Sequence, residues 1–239
     1  MVASISLVAV MLGVAALIVV MSVMNGFRAE LFDKIVGLNG HAVIQGYGGR
    51  LPEWRDLLDE TRKTDGVVSA SPMIEQPLLG TFNGRVEAVM VRGMQVPDIV
   101  SNETLDGKTV AGDLSQLEPG TSRVGIGSRL ATTLGAQVGS RITIINPQGR
   151  STPFGTVPRE ISYEVSAIFE VGVYDYDKAY VFMPMEDAQT LLLLGDQIGM
   201  IEIKTEDADK VGEILAPLVP KVADRAVITD WQTMNASSH

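Results

Sequence analysis

The chain has 239 residues with a formal net charge of −10 and a pI near 4.7, a balance that argues against a nucleic-acid-binding surface. It contains no cysteine, which rules out a disulfide framework, a thiolate metal site and a cysteine nucleophile. Only two histidines are present and one is the last residue, so we expect no histidine-based metal cluster.

The amino-terminal stretch is the most distinctive part of the sequence. Met1–Val23 carries no charged side chain, and a membrane-spanning helix needs about 20 apolar residues. We therefore predict a transmembrane helix at residues 1–24. A stalk helix is predicted at residues 25–38, because Phe27, Leu31, Ile35 and Leu38 recur at helical spacing among charged residues.

Two other interpretations of this stretch are less favoured. A secretory signal peptide has an apolar core of about 7–15 residues preceded by positive charge, and here the apolar run is longer and begins without a basic residue. A buried helix of a soluble domain would need an apolar partner of similar length, and no second stretch of the chain offers one.

A β-α-β-β pattern follows at residues 39–96. His41–Gln45 predicts a strand, and Pro52–Lys63 predicts a helix that stops before Gly66. Two further strands flank Asn83-Gly84, a strong signal for a two-residue hairpin turn. They are predicted at Leu78–Phe82 and Val86–Val91, after a shorter extended run at Val67–Ala70.

A related β-α-β pattern returns at residues 185–235. Met200–Ile203 and Ala226–Thr229 predict strands on either side of a helical stripe that runs from Ala208 to Leu218. Two such blocks on either side of a long segment predict a discontinuous α/β subdomain of split-βαβ type, formed by residues 39–96 and 185–235.

The intervening segment, residues 97–184, has mostly β character. Ser128 is predicted to cap a short helix that ends at Gly135. Three strands are predicted, at Arg141–Asn146, Glu160–Phe169 and Ala179–Met183. Residues 97–184 are thus predicted to form an inserted β-rich subdomain.

The loop at residues 147–159 has 13 residues, whereas hairpin loops usually have about 2–5, so it is predicted to be functional or disordered. Its three prolines, Pro147, Pro153 and Pro158, restrict the backbone and favour a stiff projection. Phe154 lies near its middle, and an exposed aromatic residue there would be a suitable anchor for a partner protein. The alternative is that Phe154 folds back over its own hairpin.

No motif in the sequence indicates catalysis. The chain lacks a P-loop, so it does not bind ATP in that way, and it lacks a serine nucleophile elbow. Asp175 and Asp177 alternate along one segment, which is more typical of a solvated face than of a calcium site. We therefore expect no catalytic residue, no metal site and no cofactor.

Several motifs give the sequence a family resemblance. They are Ser22–Phe27 at the end of the first helix, Val171–Asp177, and Ala179–Pro184. With the β-α-β-β block and its insert, they resemble the LolC/LolE transmembrane subunits of the bacterial lipoprotein-releasing ABC transporter. The resemblance implies an α+β fold in which a transmembrane and stalk helix precedes a MacB-like periplasmic domain.

The resemblance also implies a function for the loop, which is similar to the hook by which LolC-type subunits engage the periplasmic carrier LolA. The implied carrier-binding residues are Thr152, Pro153, Phe154, Gly155, Thr156, Val157 and Pro158. For lipoprotein acyl chains, the apolar end of the first helix is the expected contact surface, through Met21, Met24 and Phe27, since methionine adapts to irregular apolar ligands.

The implied partners are a LolD-like cytoplasmic ATPase, a second membrane subunit that is LolE-like or a second copy, the LolA-like carrier, and lipoprotein cargo. The implied location is the bacterial inner membrane, with most of the chain in the periplasm and no catalytic role for this subunit. Family members begin with a basic cytoplasmic segment and continue into three further transmembrane helices, so the chain is expected to be a fragment.

Two other functions are compatible with the sequence. One is a MacB-like or FtsX-like mechanotransmission subunit with another periplasmic partner. The other, from a different class, is a single-pass, membrane-anchored periplasmic binding module without an ATPase.

Overall fold

The computed structural model describes residues 40–153 and 155–230, with the backbone alone for 150–152, and residues 11, 14, 15 and 18 of the amino-terminal run. Those four residues are helical. Within the described part of the chain, no helix has the length and hydropathy needed to cross a membrane. Most of the predicted transmembrane and stalk helices lies outside the described residues, as do Met21, Met24 and Phe27. Residues 1–39 and 40–239 form two separate compact units.

Ten strands and seven α-helices make up the described part of the second unit. The strands are β1 (Ala42–Gly46), β2 (Val67–Phe82), β3 (Arg85–Met94), β4 (Thr109–Gly112), β5 (Arg123–Gly127), β6 (Arg141–Thr152), β7 (Gly155–Phe169), β8 (Tyr180–Pro184), β9 (Met200–Thr205) and β10 (Ala226–Asp230). The helices are α1 (Trp54–Arg62), α2 (Val96–Val100), α3 (Ser128–Leu134), α4 (Tyr174–Ala179), α5 (Met185–Leu192), α6 (Val211–Leu215) and α7 (Val219–Val222).

All ten strands belong to one mixed sheet with the order β10-β1-β9-β2-β3-β8-β5-β7-β4, and β6 pairs with both β2 and β7. Strands from the two ends of the unit meet, because β1 lies between β10 and β9. The outer and inserted segments share this sheet through the parallel pairing of β3 with β8. The subdomain boundaries at residues 97 and 184 stay predictions.

The local sequence explains the best-predicted elements. Helix α1 buries Trp54, Leu57, Leu58 and Thr61, the spacing expected of a helix with one apolar face. At the β2–β3 turn both Asn83 and Gly84 have positive φ, as the predicted two-residue turn requires. Most of the buried apolar side chains form one hydrophobic cluster, and the buried rings of Phe169, Tyr176 and Phe182 make a separate aromatic group.

Three predicted elements need correction. Strand β2 is continuous from Val67 to Phe82, where two shorter strands were predicted. The stripe at 208–218 consists of two 3-10 turns on either side of the short helix α6, and α7 follows it. Pro217 and Pro220 lack the amide N–H that one continuous helix would use there. Residue Gly127, rather than Ser128, occupies the N-cap position of α3.

The prediction of a solvated face at Asp175 and Asp177 is wrong for Asp177, which is buried. Its carboxylate accepts hydrogen bonds from the amides of Val171 and Gly172, at 2.8 and 3.0 Å. The segment is helical rather than extended, so the two aspartates do not alternate across a strand. The Asp177 carboxylate therefore holds the loop between β7 and α4 in place through these two hydrogen bonds.

A buried arginine joins the outer strands to the insert. Arg92 of β3 is 1% exposed, pairs with Glu75 of β2 through an Nε to Oε2 hydrogen bond of 2.7 Å, and donates to the Tyr176 hydroxyl at 3.2 Å. Its guanidinium also lies 4.9 Å from the ring centroid of Tyr180, and the Tyr176 and Tyr180 rings stack. Burial lowers the pKa of Arg92, but Tyr176, Glu75, Tyr180 and Glu202 together raise it by more, so Arg92 stays charged.

We predict that Arg92→Ala lowers the free energy of unfolding by about 3–5 kcal/mol, since it leaves the Glu75 carboxylate without its partner in a largely buried site. Chemical denaturation of the purified chain measures this. Arg55 is the matched control, because it pairs with Asp196 on the surface, and Arg55→Ala should cost about 1 kcal/mol or less. Equal losses for the two variants would contradict a central role for Arg92.

Candidate functional site

The segment predicted as a 13-residue loop is a hairpin arm, residues 147–159. Strands β6 and β7 continue into it and remain paired, from Arg150 opposite Val157 to Thr152 opposite Gly155. The connection at its tip is only two residues, 153 and 154. The loop prediction is therefore corrected: the segment is an extension of the sheet with a tight turn.

The prolines mark the irregularities of the arm. The register shifts between Asn146 and Arg150, so Pro147 and Pro158 lie where the regular ladder is interrupted. A proline cannot donate to a ladder, and this position accommodates both of them. The third proline, Pro153, lies in the turn. The proline spacing therefore reflects a bulge and a turn rather than an unpaired loop.

The root of the arm is fixed by Asn146 and Gly149. Asn146 is buried, and its Nδ2 donates to the carbonyl oxygen of Leu191 in α5 at 3.3 Å, while its Oδ1 accepts from the amide of Gln148 at 3.0 Å. A Cβ on Gly149 would collide with the carbonyl oxygen of Val157 on the opposite strand. The two strands can approach this closely only because residue 149 is glycine.

Beyond the body of the domain, the arm has open edges and exposed side chains. Among the described strands, β6 pairs with β2 only at residues 143–145, and β7 pairs with β5 only from Glu164 onward. Neither of these neighbouring strands therefore pairs with residues 147–159. The predicted carrier-binding residues Pro153, Gly155, Thr156, Val157 and Pro158 are exposed, with Val157 at 55%. The Thr152 side chain and the whole of Phe154 lie outside the described residues.

Three polar side chains, Tyr163, Asp187 and Arg159, lie close together near the root of the arm. Tyr163 of β7 is 1% exposed, and its pKa is raised by burial and by the nearby Asp187, an effect that Arg159 partly offsets. Asp187 of α5 accepts from the amide of Gly120 at 3.1 Å, and burial raises the pKa of its carboxyl group. Arg159 Nε and Asp187 Oδ2 have no hydrogen-bond partner in the part of the chain that the structure describes.

A cavity of about 160 Å³ lies beside the arm root. It is lined by the side chains or backbone of Gln45, Gly48, Gly49, Arg50, Ile74, Glu75, Gln76, Asn146, Gln148, Leu192, Leu194, Gly199 and Met200. These residues come from five separate segments, so no local motif could have revealed the cavity. Within residues 40–153 and 155–230, no three His, Asp or Glu side chains are placed to hold a metal ion.

Comparison with known proteins gives a consistent result. The family model described as "MacB-like periplasmic core domain" matches residues 3–220. The lipoprotein-releasing system transmembrane protein LolC of Neisseria meningitidis is 32% identical over 98% of this chain and 56% of its own length. LolE of Haemophilus influenzae is 27% identical over 98% of this chain and 55% of its length. The chain thus spans about half the length of these curated relatives.

A solved structure supports the fold. The periplasmic region of MacB from Actinobacillus actinomycetemcomitans superposes with a TM-score of 0.55, covering 85% of this chain and 94% of that one. The two sequences are 12% identical, so the similarity concerns the fold alone.

We predict that Gly149→Ala loosens the arm without unfolding the domain, because the added methyl group collides with the opposite strand. Hydrogen exchange of the amides at 155–157 should accelerate by about tenfold, equivalent to about 1.4 kcal/mol of opening free energy. Gly212→Ala is the control, since a Cβ there meets only Asp230 Oδ2, at 3.9 Å. Unchanged exchange in Gly149→Ala would contradict the tight crossing.

We predict that Asp187→Asn raises the melting temperature at pH 7 and has no effect at pH 3. The raised pKa of Asp187 means that its charged form is disfavoured in the folded state. Stability is therefore lost as the pH rises from the ordinary pKa of an aspartate through the raised pKa of Asp187. Calorimetry should show a shift of a few degrees, at about 2–4 °C per kcal/mol. The exposed Asp106→Asn controls for loss of any negative charge; an equal shift there would refute the assignment.

Proposed function

This chain belongs to the family of MacB-like periplasmic core domains and, within it, to the LolC/LolE group, and we propose that it is part of a membrane subunit of an ATP-driven lipoprotein-releasing complex. The observation that carries the proposal is the 32% identity to a LolC protein across 98% of the chain. In this proposal residues 1–24 cross the inner membrane, and most of the chain lies in the periplasm.

The work of the complex is proposed to be divided among separate proteins. A LolD-like ATPase on the cytoplasmic side hydrolyses ATP, and this chain carries no catalytic step. A second membrane subunit, LolE-like or a second copy, completes the complex. The transmembrane and stalk helices would pass mechanical displacement to the periplasmic domain. Met21, Met24 and Phe27 are proposed to contact lipoprotein acyl chains, since apolar and flexible side chains suit such ligands.

The hairpin arm is proposed to bind the LolA-like carrier that receives the lipoprotein. Three features support this role: the arm extends beyond the paired body of the sheet, its residues Pro153 and Thr156–Pro158 are exposed, and its root is anchored by Asn146 and Gly149. A rigid root matters because a pre-ordered binding segment loses less entropy when its partner docks. Phe154 is the proposed aromatic anchor at the tip.

We predict that a photo-crosslinking residue at Phe154 captures a LolA-like carrier in the periplasm. The same residue placed at Val110 is the control, because Val110 is 57% exposed, close to the 55% of Val157 in the arm, but belongs to β4. Phe154→Ala combined with Pro153→Ala should weaken carrier binding by about 2 kcal/mol, as expected for a hot spot, and leave the melting temperature unchanged. A large loss of stability would mean that the tip packs as core; equal capture at Val110 would mean that the contact is not specific to the arm.

A further inference from the structure

Positive charge is concentrated in one part of this acidic chain. Residues 119–159 contain five arginines and no Asp or Glu, whereas the whole chain has a formal charge of −10. Helix α3 lies in this segment, between β5 and β6. It buries Leu130, Ala131 and Leu134 against the core and leaves Arg129 and its neighbouring threonines exposed. The exposed side of α3 thus carries one cation, Arg129, and no carboxylate.

Further cations extend this surface at both ends of α3. At the carboxyl end, the exposed Arg85 donates from Nη1 to the carbonyl oxygen of Thr133 at 2.9 Å, the favoured location for a cation on a helix. At the other end, Arg129 lies 4.7 Å from the ring centroid of Tyr174 in α4, and the Lys178 amino group lies 5.9 Å from the same ring. We call Arg85, Arg129, Thr132, Tyr174 and Lys178 the α3 face.

The cations of the α3 face form no ion pair with any carboxylate that the structure describes. Glu87 and Asp175 are close in sequence to Arg85 and Tyr174, yet among the described residues no ion pair involves Arg85, Arg129 or Lys178. Elsewhere, Arg55, Lys204 and Lys221 each pair with a carboxylate. Tyr174 is 56% exposed although it is a large aromatic residue.

We propose that the α3 face docks an acidic segment of a partner protein. Arginine and tyrosine are enriched in the centres of protein interfaces, and tyrosine supplies rigid contact area between two cations that attract carboxylates. Anionic lipid surfaces are recognised by clusters of about 4–8 basic residues, more than the three cations present here. The α3 face and the hairpin arm are formed by different segments of the chain, and we assign them two different partners.

The test uses a fluorescein-labelled oligoglutamate peptide as the acidic probe and the purified full chain at low ionic strength. The wild-type chain should bind the peptide, and added salt should weaken binding. The R129E/K178E variant should bind about tenfold more weakly, since it loses two attractive surface contacts and charge reversal adds repulsion. Tyr174→Ala, which leaves the net charge unchanged, should weaken binding severalfold.

Two controls separate the α3 face from general effects. K210E/K221E makes the same change in net charge at exposed lysines outside the face, and it should leave peptide binding nearly unchanged. An equal loss in both double variants, or no binding by the wild type, would overturn the proposal. The proposal would also be overturned if phosphatidylglycerol vesicles bound through Arg129 and Lys178 and the peptide did not compete with them. The α3 face would then be assigned to lipid.

The outcome is also separable from that of the proposed carrier function. R129E/K178E should retain binding to the LolA-like carrier, and Phe154→Ala should retain binding to oligoglutamate. Loss of carrier binding in R129E/K178E, with the fold intact by circular dichroism, would overturn the assignment of a separate partner to the α3 face.

Discussion

A guanidinium buried in the middle of a sheet needs a compensating charge and partners for its N–H groups. Arg92 finds them in three different segments. Glu75 comes from the neighbouring strand, Tyr176 from the short helix before β8, and Tyr180 from β8 itself. The charge therefore links strands near the amino end of the unit to strands of the insert. Hydrophobic packing alone would also bury these segments together, but a charged donor with fixed partners requires one particular register between β3 and β8.

The hairpin arm depends on this arrangement of strands. Its two strands begin inside the body, where β6 is paired on both sides with β2 and β7, and they leave the body as a single pair. Asn146 connects the departure point to α5, and Gly149 lets the strands cross closely at the bulge. The orientation of the arm is thus determined at its root by hydrogen bonds and backbone contact.

The sequence predicted the features that depend on local chemistry. The Asn83-Gly84 turn and the apolar face of α1 follow from backbone preference and helical spacing, and both are present. The arm was predicted as a stiff loop of 13 residues between two strands. The bulge that lets the strands continue past Pro147 and Pro158 depends on a pairing partner that spacing does not reveal. Arg92 is buried by contacts with residues distant in sequence, such as Tyr176, so its role was not visible in the local sequence. Asp177 bonds to amides only five and six residues earlier, but the prediction treated the segment as extended, whereas it is helical. Nothing in the structure decides the carrier-binding and acyl-contact residues, which stay predictions.

The open edges of the arm have a consequence for solubility. Exposed strand edges offer unpaired amide and carbonyl groups to any other extended chain, which makes a projecting hairpin a site where copies could associate edge to edge. Each edge of this arm carries one proline near its base, Pro147 on β6 and Pro158 on β7, and a proline presents no amide hydrogen to an incoming strand. The prolines that predicted stiffness in the sequence therefore also leave the arm with fewer amide hydrogens to offer to another strand.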